Sequence, residues 1–255
     1  MPDVDCGSIL AGADDQVLLS SRGEGSVCEY NVRVEDLAIK NLVFLGAGAF
    51  PGHFNFDGIF GLGYGKDGQR SGAAPLFQTM IDQKLLEEPV FALSLGANES
   101  ELLLGGVDDT HYSGDFVKLP VCRDDGWIIN LSGLTLGRHS FELDGTISEA
   151  LFDSGSSIIG LPGQLADTVN RAIGPIECSK RASLPDLTFD LSGSRFAMSP
   201  WEYIAEHVDG CTSAIVGIDL PYPYENVVIL GTPFLKRWYT VFDQEDSSLH
   251  LAQAK

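Results

Sequence analysis

Residues 151–162 read LFDSGSSIIGLP, and this stretch decides the fold class of the 255-residue chain. An apolar run ends at Asp153, and a turn rich in hydroxyl side chains follows directly. Such a turn places hydrogen-bond donors around the carboxylate and holds it in one orientation, as a base that activates water requires. An isolated Asp-Ser-Gly is more often an ordinary Asx turn after a strand, so the surrounding sequence has to decide between the two interpretations.

Short strands dominate the rest of the chain. Tyr30, Val32 and Val34 alternate with polar residues, which is the pattern of a half-buried strand. Further apolar runs are bounded by Gly, Pro, Asp and Ser, which favour turns. These runs lie at 91–95, 101–104, 127–136, 145–152, 187–191 and 227–230. The sequence therefore predicts a mainly β fold.

Three short helices are predicted among these strands. Apolar residues keep helical spacing in 76–85, before a proline, and in 165–173, before Gly174. A third helix begins at Ser199, where Ser, Pro and a Glu three residues later form a capping box. We expect this helix to run to about His207.

Charge and composition exclude several classes of protein. Thirty-six acidic and sixteen basic residues give a formal charge of −20, which repels nucleic acid and anionic membranes. The longest apolar stretches, such as 42–50, are too short for a membrane span. The first ten residues, MPDVDCGSIL, lack the basic start and apolar core of a signal peptide. The five cysteines and five histidines form no CxxC, HExxH or HxH spacing, so the common metal-site motifs are missing.

Several segments, in this order along the chain, resemble the pepsin-like aspartic endopeptidase family. They are FDGIFGLGYG (56–65), ELLLGGVDDTHYSGDFVKLPV (101–121), GWIINLSGLTLG (126–137), LFDSGSSIIGLP (151–162), VVILGTPFLKRWYTVFD (227–243) and LHLAQAK (249–255). The resemblance covers roughly Leu18 to the C-terminus. Because these segments match in order, a catalytic role for Asp153 is favoured over an ordinary Asx turn.

The resemblance implies an all-β, bilobal acid-protease fold with a few short helices and an incomplete N-terminal lobe. Residues 1–115 would form that partial lobe, with the flap hairpin and the FDGIFGLG arm, and residues 116–255 the C-terminal lobe. A disulfide between Cys178 and Cys211 is implied by the family's C-terminal loop. The family also implies a monomer, a protein or peptide substrate, and secretion or an acidic lysosome-like compartment.

Catalysis in this family uses two aspartates, one from each lobe, that share a proton and activate water without a metal or organic cofactor. Carried over onto this chain, Asp153 is one member of the pair. Ser154 and Ser156 match hydroxyl residues that support it, and Gly155 permits the tight turn between them. These four residues are therefore the predicted catalytic and supporting set.

The sequence departs from the family pattern at two places. The first Asp-Thr-Gly-Ser motif should precede the flap, but residues 1–21 do not supply it. In the flap, the family usually has Tyr-Gly-x-Gly-Ser, whereas this chain has Arg22, Gly23, Glu24 and Gly25 before its serine. A guanidinium thus replaces the aromatic ring that covers substrate.

Three interpretations remain open. The chain is an endopeptidase that is incomplete at its N-terminus, or it is a non-catalytic relative that binds peptides or proteins in its cleft. In the third, two chains each supply Asp153, as in half-sized homodimeric proteases. The first is preferred because the sequence starts abruptly, and we expect the 255-residue chain alone to be inactive.

Overall fold

The computed structural model describes residues 25–47, 58–64, 74–96, 99–143 and 145–255. They fall into two compact units, one within residues 1–89 together with 124–126, and one of residues 90–123 and 127–255. Strands make up most of the regular structure, so the predicted mainly β fold with a few short helices is confirmed. No helix in these ranges is long and apolar enough to cross a membrane.

Among its described residues, the first unit contains a long hairpin and one helix. Strand β1 (Gly25–Val34) pairs antiparallel with β2 (Leu37–Ala47), and helix α1 (Leu76–Asp82) lies against β2. The side-chain amide of Gln83 makes two hydrogen bonds to the backbone of Lys40. Its Oε1 accepts the Lys40 amide at 2.9 Å, and its Nε2 donates to the Lys40 carbonyl at 2.6 Å. These bonds and the buried faces of the two elements attach the predicted first helix to the hairpin.

The second unit contains all the remaining elements. Its strands are β3 (Val90–Leu95), β4 (Ser100–Leu104), β5 (Tyr112–Pro120), β6 (Ile128–Leu136), β7 (His139–Phe141), β8 (Glu149–Phe152), β9 (Ile159–Pro162), β10 (Leu187–Leu191), β11 (Ser194–Met198), β12 (Ile204–His207), β13 (Gly210–Ser213), β14 (Ile215–Ile218), β15 (Val227–Leu230), β16 (Trp238–Asp243) and β17 (Ser248–Ala254). Its helices are α2 (Gly163–Ile173), a 3₁₀ helix (Cys178–Ser183), α3 (Pro200–Tyr203) and α4 (Thr232–Arg237).

One sheet has the strand order β4-β3-β16-β17-β5 and is antiparallel throughout. A buried cluster of Val90, Ala92, Tyr239 and Val241 covers one face of it. The sheet joins strands from both sides of position 115, where the sequence places a lobe boundary. The two compact units are divided at a different place, between Pro89 and Val90. The lobe boundary at position 115 stays a prediction.

The larger sheet has the order β11-β10-β6-β8-β15-β9-β14, and β7 pairs with β6. Phe234 of α4 is fully buried against it, and its ring meets those of Phe152, Phe189 and Phe196 at centroid distances of 5.5, 5.9 and 6.3 Å. This aromatic core lies beneath the turn that follows β8, and it fixes the end of that strand.

The third predicted helix is shorter than expected. Ser199 caps the helix, since its Oγ accepts a bond from the amide of Trp201 at 3.3 Å. The Glu202 carboxylate accepts the Ser199 hydroxyl at 2.5 Å, which differs from the Glu-to-backbone bond of the predicted capping box. The helix nevertheless ends at Tyr203, and the prediction that it reaches His207 is wrong. Residues 204–207 instead pair with β13 as a strand, because a partner strand was available to take their backbone hydrogen bonds.

Candidate active site

Two strand ends meet at the aspartate turn. Strand β8 runs parallel to β15, with Phe152 opposite Leu230, and the amide of Asp153 donates to the Leu230 carbonyl at 3.2 Å. Strand β9 returns antiparallel along the other side of β15. The segment of Asp153 therefore lies beside that of Gly231.

The carboxylate of Asp153 is held by donors of its own turn. The amide of Gly155 donates to Oδ1 at 2.8 Å, and the hydroxyl of Ser156 donates to Oδ2 at 2.5 Å. Asp153 itself is half-buried, while Ser154 and Gly155 are exposed. Each carboxylate oxygen thus accepts one bond from a neutral group, and its orientation is set before any substrate arrives.

The turn is locked from the side by the segment that follows β15. The amide of Gly231 donates to the Ile158 carbonyl at 3.2 Å, and the amide of Thr232 donates to the Ser156 carbonyl at 2.7 Å. A Cβ on Gly231 would collide with the carbonyl oxygens of Ser156 and Ile158. Glycine is therefore required at this close approach of two backbones.

Thr232 and helix α4 are contributors that sequence reasoning missed. The signal was present, because Thr232 is followed by a proline, and proline favours the first turn of a helix. The helix carries Phe234 into the core, so its start is fixed in position. The backbone of Thr232 is thereby brought to the Asp153 turn.

This arrangement suits general base chemistry. An ionised carboxylate can accept about four hydrogen bonds, and the donors found among the described residues are Gly155 and Ser156. Room remains for a water molecule to donate to the carboxylate. Neutral donors orient the group without cancelling its charge, as a base that takes a proton from water requires.

The other predicted site residues are only partly placed. Arg22, Gly23 and Glu24 of the predicted flap lie outside the described residues, whereas Gly25 begins β1 and pairs with Ala47. Their role at a cleft stays a prediction, as do the supporting roles of Ser154, Gly155 and Ser156.

The predicted disulfide is present and confirmed. Cys178 and Cys211 are bonded, with their Cα atoms 5.3 Å apart. The bond joins the 3₁₀ helix to β13, where the guanidinium of Arg181 stacks on Trp201 at 3.8 Å. Among the other cysteines, Cys28 is also disulfide-bonded, and the thiol of Cys122 donates to the Ile128 carbonyl at 3.3 Å.

Comparison with known proteins places this site in a family context. A family model described as eukaryotic aspartyl protease matches residues 20–254. Vacuolar protease A of Aspergillus fumigatus is 39% identical over 249 residues, which cover 91% of this chain and 62% of that protein. Vacuolar aspartic protease of Candida albicans is 32% identical over 251 residues, which cover 91% of this chain and 59% of that protein.

Pepsin A of Sus scrofa is also similar, at 33% identity over 260 residues that cover 94% of this chain and 67% of that protein. The chain spans about three fifths of the length of the two vacuolar proteases. The family model covers nearly the whole chain, including the Asp153 turn and the β15 segment beside it. The chain therefore belongs to the eukaryotic aspartyl protease family.

Proposed function

We propose that this protein is an aspartic-type endopeptidase in which Asp153 is one of the two catalytic carboxylates. The observation that carries the proposal is the pair of donors on Asp153, one on each oxygen, at the meeting of β8 and β15. Family membership supports the same reaction class.

In the proposed reaction, Asp153 and a second aspartate share one proton, because like charges at such short range cannot both be ionised. One carboxylate takes a proton from water, which attacks the scissile carbonyl carbon. The other donates a hydrogen bond to the carbonyl oxygen and stabilises the charge that develops there. The bonds from Gly155 and Ser156 keep Asp153 oriented during these proton transfers.

The second carboxylate is proposed to come from a segment outside these 255 residues. Asp153-Ser154-Gly155 is the one Asp-Ser/Thr-Gly sequence in the chain. A segment containing a strand followed by Asp-Thr/Ser-Gly-Ser would supply the missing group. The 255-residue chain alone would then be inactive, since each lost general acid or base costs roughly 10²–10⁴ in rate.

Protein or peptide is the proposed substrate, and an acidic vacuole-like compartment or secretion is the proposed location. Two of the similar proteins carry the word vacuolar in their names. The formal charge of −20 supports an acidic setting, because protonation of carboxylates at low pH relieves their mutual repulsion.

The proposal is tested with two forms of the protein. One is the 255-residue chain, and the other is an extended chain in which a segment with a strand-Asp-Thr/Ser-Gly-Ser motif precedes Met1. We expect the extended chain to cleave unfolded protein at acidic pH, and a statyl-type transition-state mimic to block the cleavage. The short chain should be inactive at every pH. Cleavage by the short chain that depends on Asp153 would instead favour a homodimeric enzyme.

A non-catalytic, peptide-binding role is the second candidate. Arg22 favours it, because this residue stands where the family usually has the flap tyrosine. If this role is correct, the extended chain binds a peptide ligand without cleaving it. Asp153→Asn then leaves the dissociation constant unchanged, whereas in a protease the same change abolishes cleavage.

A further inference from the structure

A cluster of one imidazole and two carboxylates lies at the five-stranded sheet β4-β3-β16-β17-β5, apart from the Asp153 turn. Glu101 belongs to β4, whereas Asp108 and His111 belong to the connection between β4 and β5. His111 Nε2 lies 2.7 Å from Glu101 Oε2 and 3.8 Å from Asp108 Oδ2. One ligand atom from each of the three residues lies within 4.8 Å of the others.

The topology explains why these side chains meet. Strands β4 and β5 are at opposite edges of the sheet, so the connection between them, residues 105–111, has to pass across the sheet. The amide of Asp108 donates to the hydroxyl of Tyr239 in the central strand β16, at 3.4 Å. The ring of His111 stacks on Tyr239, with centroids 6.2 Å apart and an interplanar angle of 13°.

Local bonds hold the two connection residues in place. Asp108 Oδ1 accepts the amide of Thr110 at 2.8 Å, and the amide of His111 donates to the Asp108 carbonyl at 3.3 Å. The carbonyl of His111 accepts the amide of Lys255 at 3.0 Å, beside the end of β17. The positions of Asp108 and His111 are therefore held by contacts that do not depend on Glu101.

We infer that Glu101, Asp108 and His111 form a binding site for a divalent transition metal such as Zn²⁺. Zinc binds imidazole nitrogen and carboxylate oxygen at about 2.0–2.2 Å, so two ligand atoms of a tetrahedral site are about 3.4 Å apart. The measured separations of 2.7 and 3.8 Å lie on either side of that value. Small rotations of the partly exposed carboxylates would bring all three atoms to it, with water as the fourth ligand.

The donor set selects among cations. Calcium and magnesium prefer oxygen ligands alone, whereas zinc and its neighbours accept imidazole. Two carboxylates with a neutral imidazole carry two negative charges, which a divalent ion neutralises. Lys255 is the nearby cation, and its ammonium is bonded to the Asp109 carbonyl at 2.9 Å rather than to a carboxylate of the cluster. A bound metal would attach the connection to the edge strand β4.

The test is zinc binding to the metal-stripped 255-residue chain at neutral pH, measured by isothermal titration calorimetry. We expect one zinc site, which is weakened at least tenfold by His111→Gln and also weakened by Glu101→Gln. His207→Gln is the matched control, because His207 is exposed and contacts the Thr212 hydroxyl rather than an acid. Calcium binding should not depend on His111.

A thermal measurement provides a second readout on the same variants. Zinc at about one hundred times its dissociation constant should raise the Tm of the wild-type chain by about 5 °C. The rise should be lost in His111→Gln and kept in His207→Gln. If zinc does not bind with one-to-one stoichiometry, or if His111→Gln binds it as tightly as the wild type, the cluster is only a surface ion pair and the inference is wrong.

Discussion

Two turns in the second unit begin with an aspartate that ends a strand or directly follows one. After β8, Asp153 Oδ1 accepts the amide of Gly155 at 2.8 Å, and at the end of β16, Asp243 Oδ1 accepts the amide of Asp246 at 2.9 Å. Serines follow in both turns. Each aspartate therefore accepts a backbone amide of its own turn, two residues on at Asp153, as in an ordinary Asx turn, and three residues on at Asp243.

Their surroundings differ in two ways. The second oxygen of Asp153 accepts the Ser156 hydroxyl, whereas the second oxygen of Asp243 lies 3.8 Å from Nε2 of His250. The turn after β8 is bonded from the side by Gly231 and Thr232 of the segment after β15. The hairpin turn between β16 and β17 is bonded instead by Val121, just after β5, whose amide donates to the Ser247 carbonyl at 2.9 Å. The two turns thus differ in the partner of the second carboxylate oxygen and in the segment that bonds the turn from the side, which is the arm after β15 at Asp153 and the end of β5 at Asp243.

We expect a substitution at Gly231, beside the Asp153 turn, to have the largest effect on stability. Gly231→Ala should lower the free energy of unfolding by about 3 kcal/mol, because the added methyl meets two backbone carbonyls that cannot move aside. Gly106→Ala is the control, since a Cβ there has nothing within 4 Å, and we expect a change within about 0.5 kcal/mol. Urea unfolding measures both. Equal effects would show that the close approach at Gly231 is unimportant.

The hydroxyl of Ser156 should matter more than that of Ser154. A hydrogen bond to a charged group contributes about 1.5–3 kcal/mol, so Ser156→Ala should reduce kcat/KM of the extended chain about tenfold or more. Ser154 is exposed in the 255-residue chain, and Ser154→Ala should lower kcat/KM less than Ser156→Ala does. Equal losses in the two variants would contradict the assignment of the Oδ2 donor.

The hairpin turn should tolerate change and even gain stability. Ser247 has a φ of 50°, a left-handed conformation that costs a serine about 1–2 kcal/mol relative to glycine. The greater freedom of glycine in the unfolded chain offsets part of this gain. Ser247→Gly should therefore raise the free energy of unfolding by about 0.5 kcal/mol in urea titrations. A loss of 1 kcal/mol or more would mean that the turn depends on the serine side chain.

His250 should add a small pH dependence to the hairpin side. Burial lowers the pKa of His250, and nearby Lys118 lowers it further, while Asp243 and Asp246 act in the opposite direction. As the pH falls below about 6.5, His250 is protonated in the unfolded chain before it is protonated in the folded chain. The free energy of unfolding therefore decreases as the pH falls, until the folded histidine is protonated too.

In His250→Gln, the decrease in stability that is caused by protonation of His250 at low pH should disappear. Because the side chain is partly exposed, the expected difference is below about 0.5 kcal/mol. Unfolding curves of wild type and variant between pH 7.5 and 5 measure it. A wild type that gains stability relative to His250→Gln as the pH falls would contradict the lowered pKa.

Sequence reasoning succeeded where the signal was local. The turn at Asp153, the N-terminal cap at Ser199 and the helix predicted in 165–173 each depend on neighbouring residues, and each is present. The position of β15 beside Asp153 comes from strand pairing, which periodicity does not predict. The end of the helix at Tyr203 could not be foreseen, because it depends on a strand that forms only when 210–213 folds back.

The cluster at His111 also could not be read from the sequence. Its ligands have no metal-motif spacing, since Glu101 comes from an edge strand while Asp108 and His111 come from a connection that crosses the sheet. Similarly, the bond from the amide of Thr232 to the carbonyl of Ser156 joins residues that are 76 positions apart in the sequence. Contacts of this kind depend on topology, and local patterns carry no information about them.

Cleavage of a peptide by the extended chain, compared between Asp153→Asn and Asp243→Asn, tests the central claim most directly. Asp167→Asn on the exposed face of α2 controls for the loss of one negative charge. We predict that Asp153→Asn lowers kcat/KM about 10³-fold or more, because an amide can neither share the proton nor activate water. Asp243→Asn and Asp167→Asn should stay within about tenfold of the wild type. Retained cleavage in Asp153→Asn, or an equal loss in Asp243→Asn, would contradict the account.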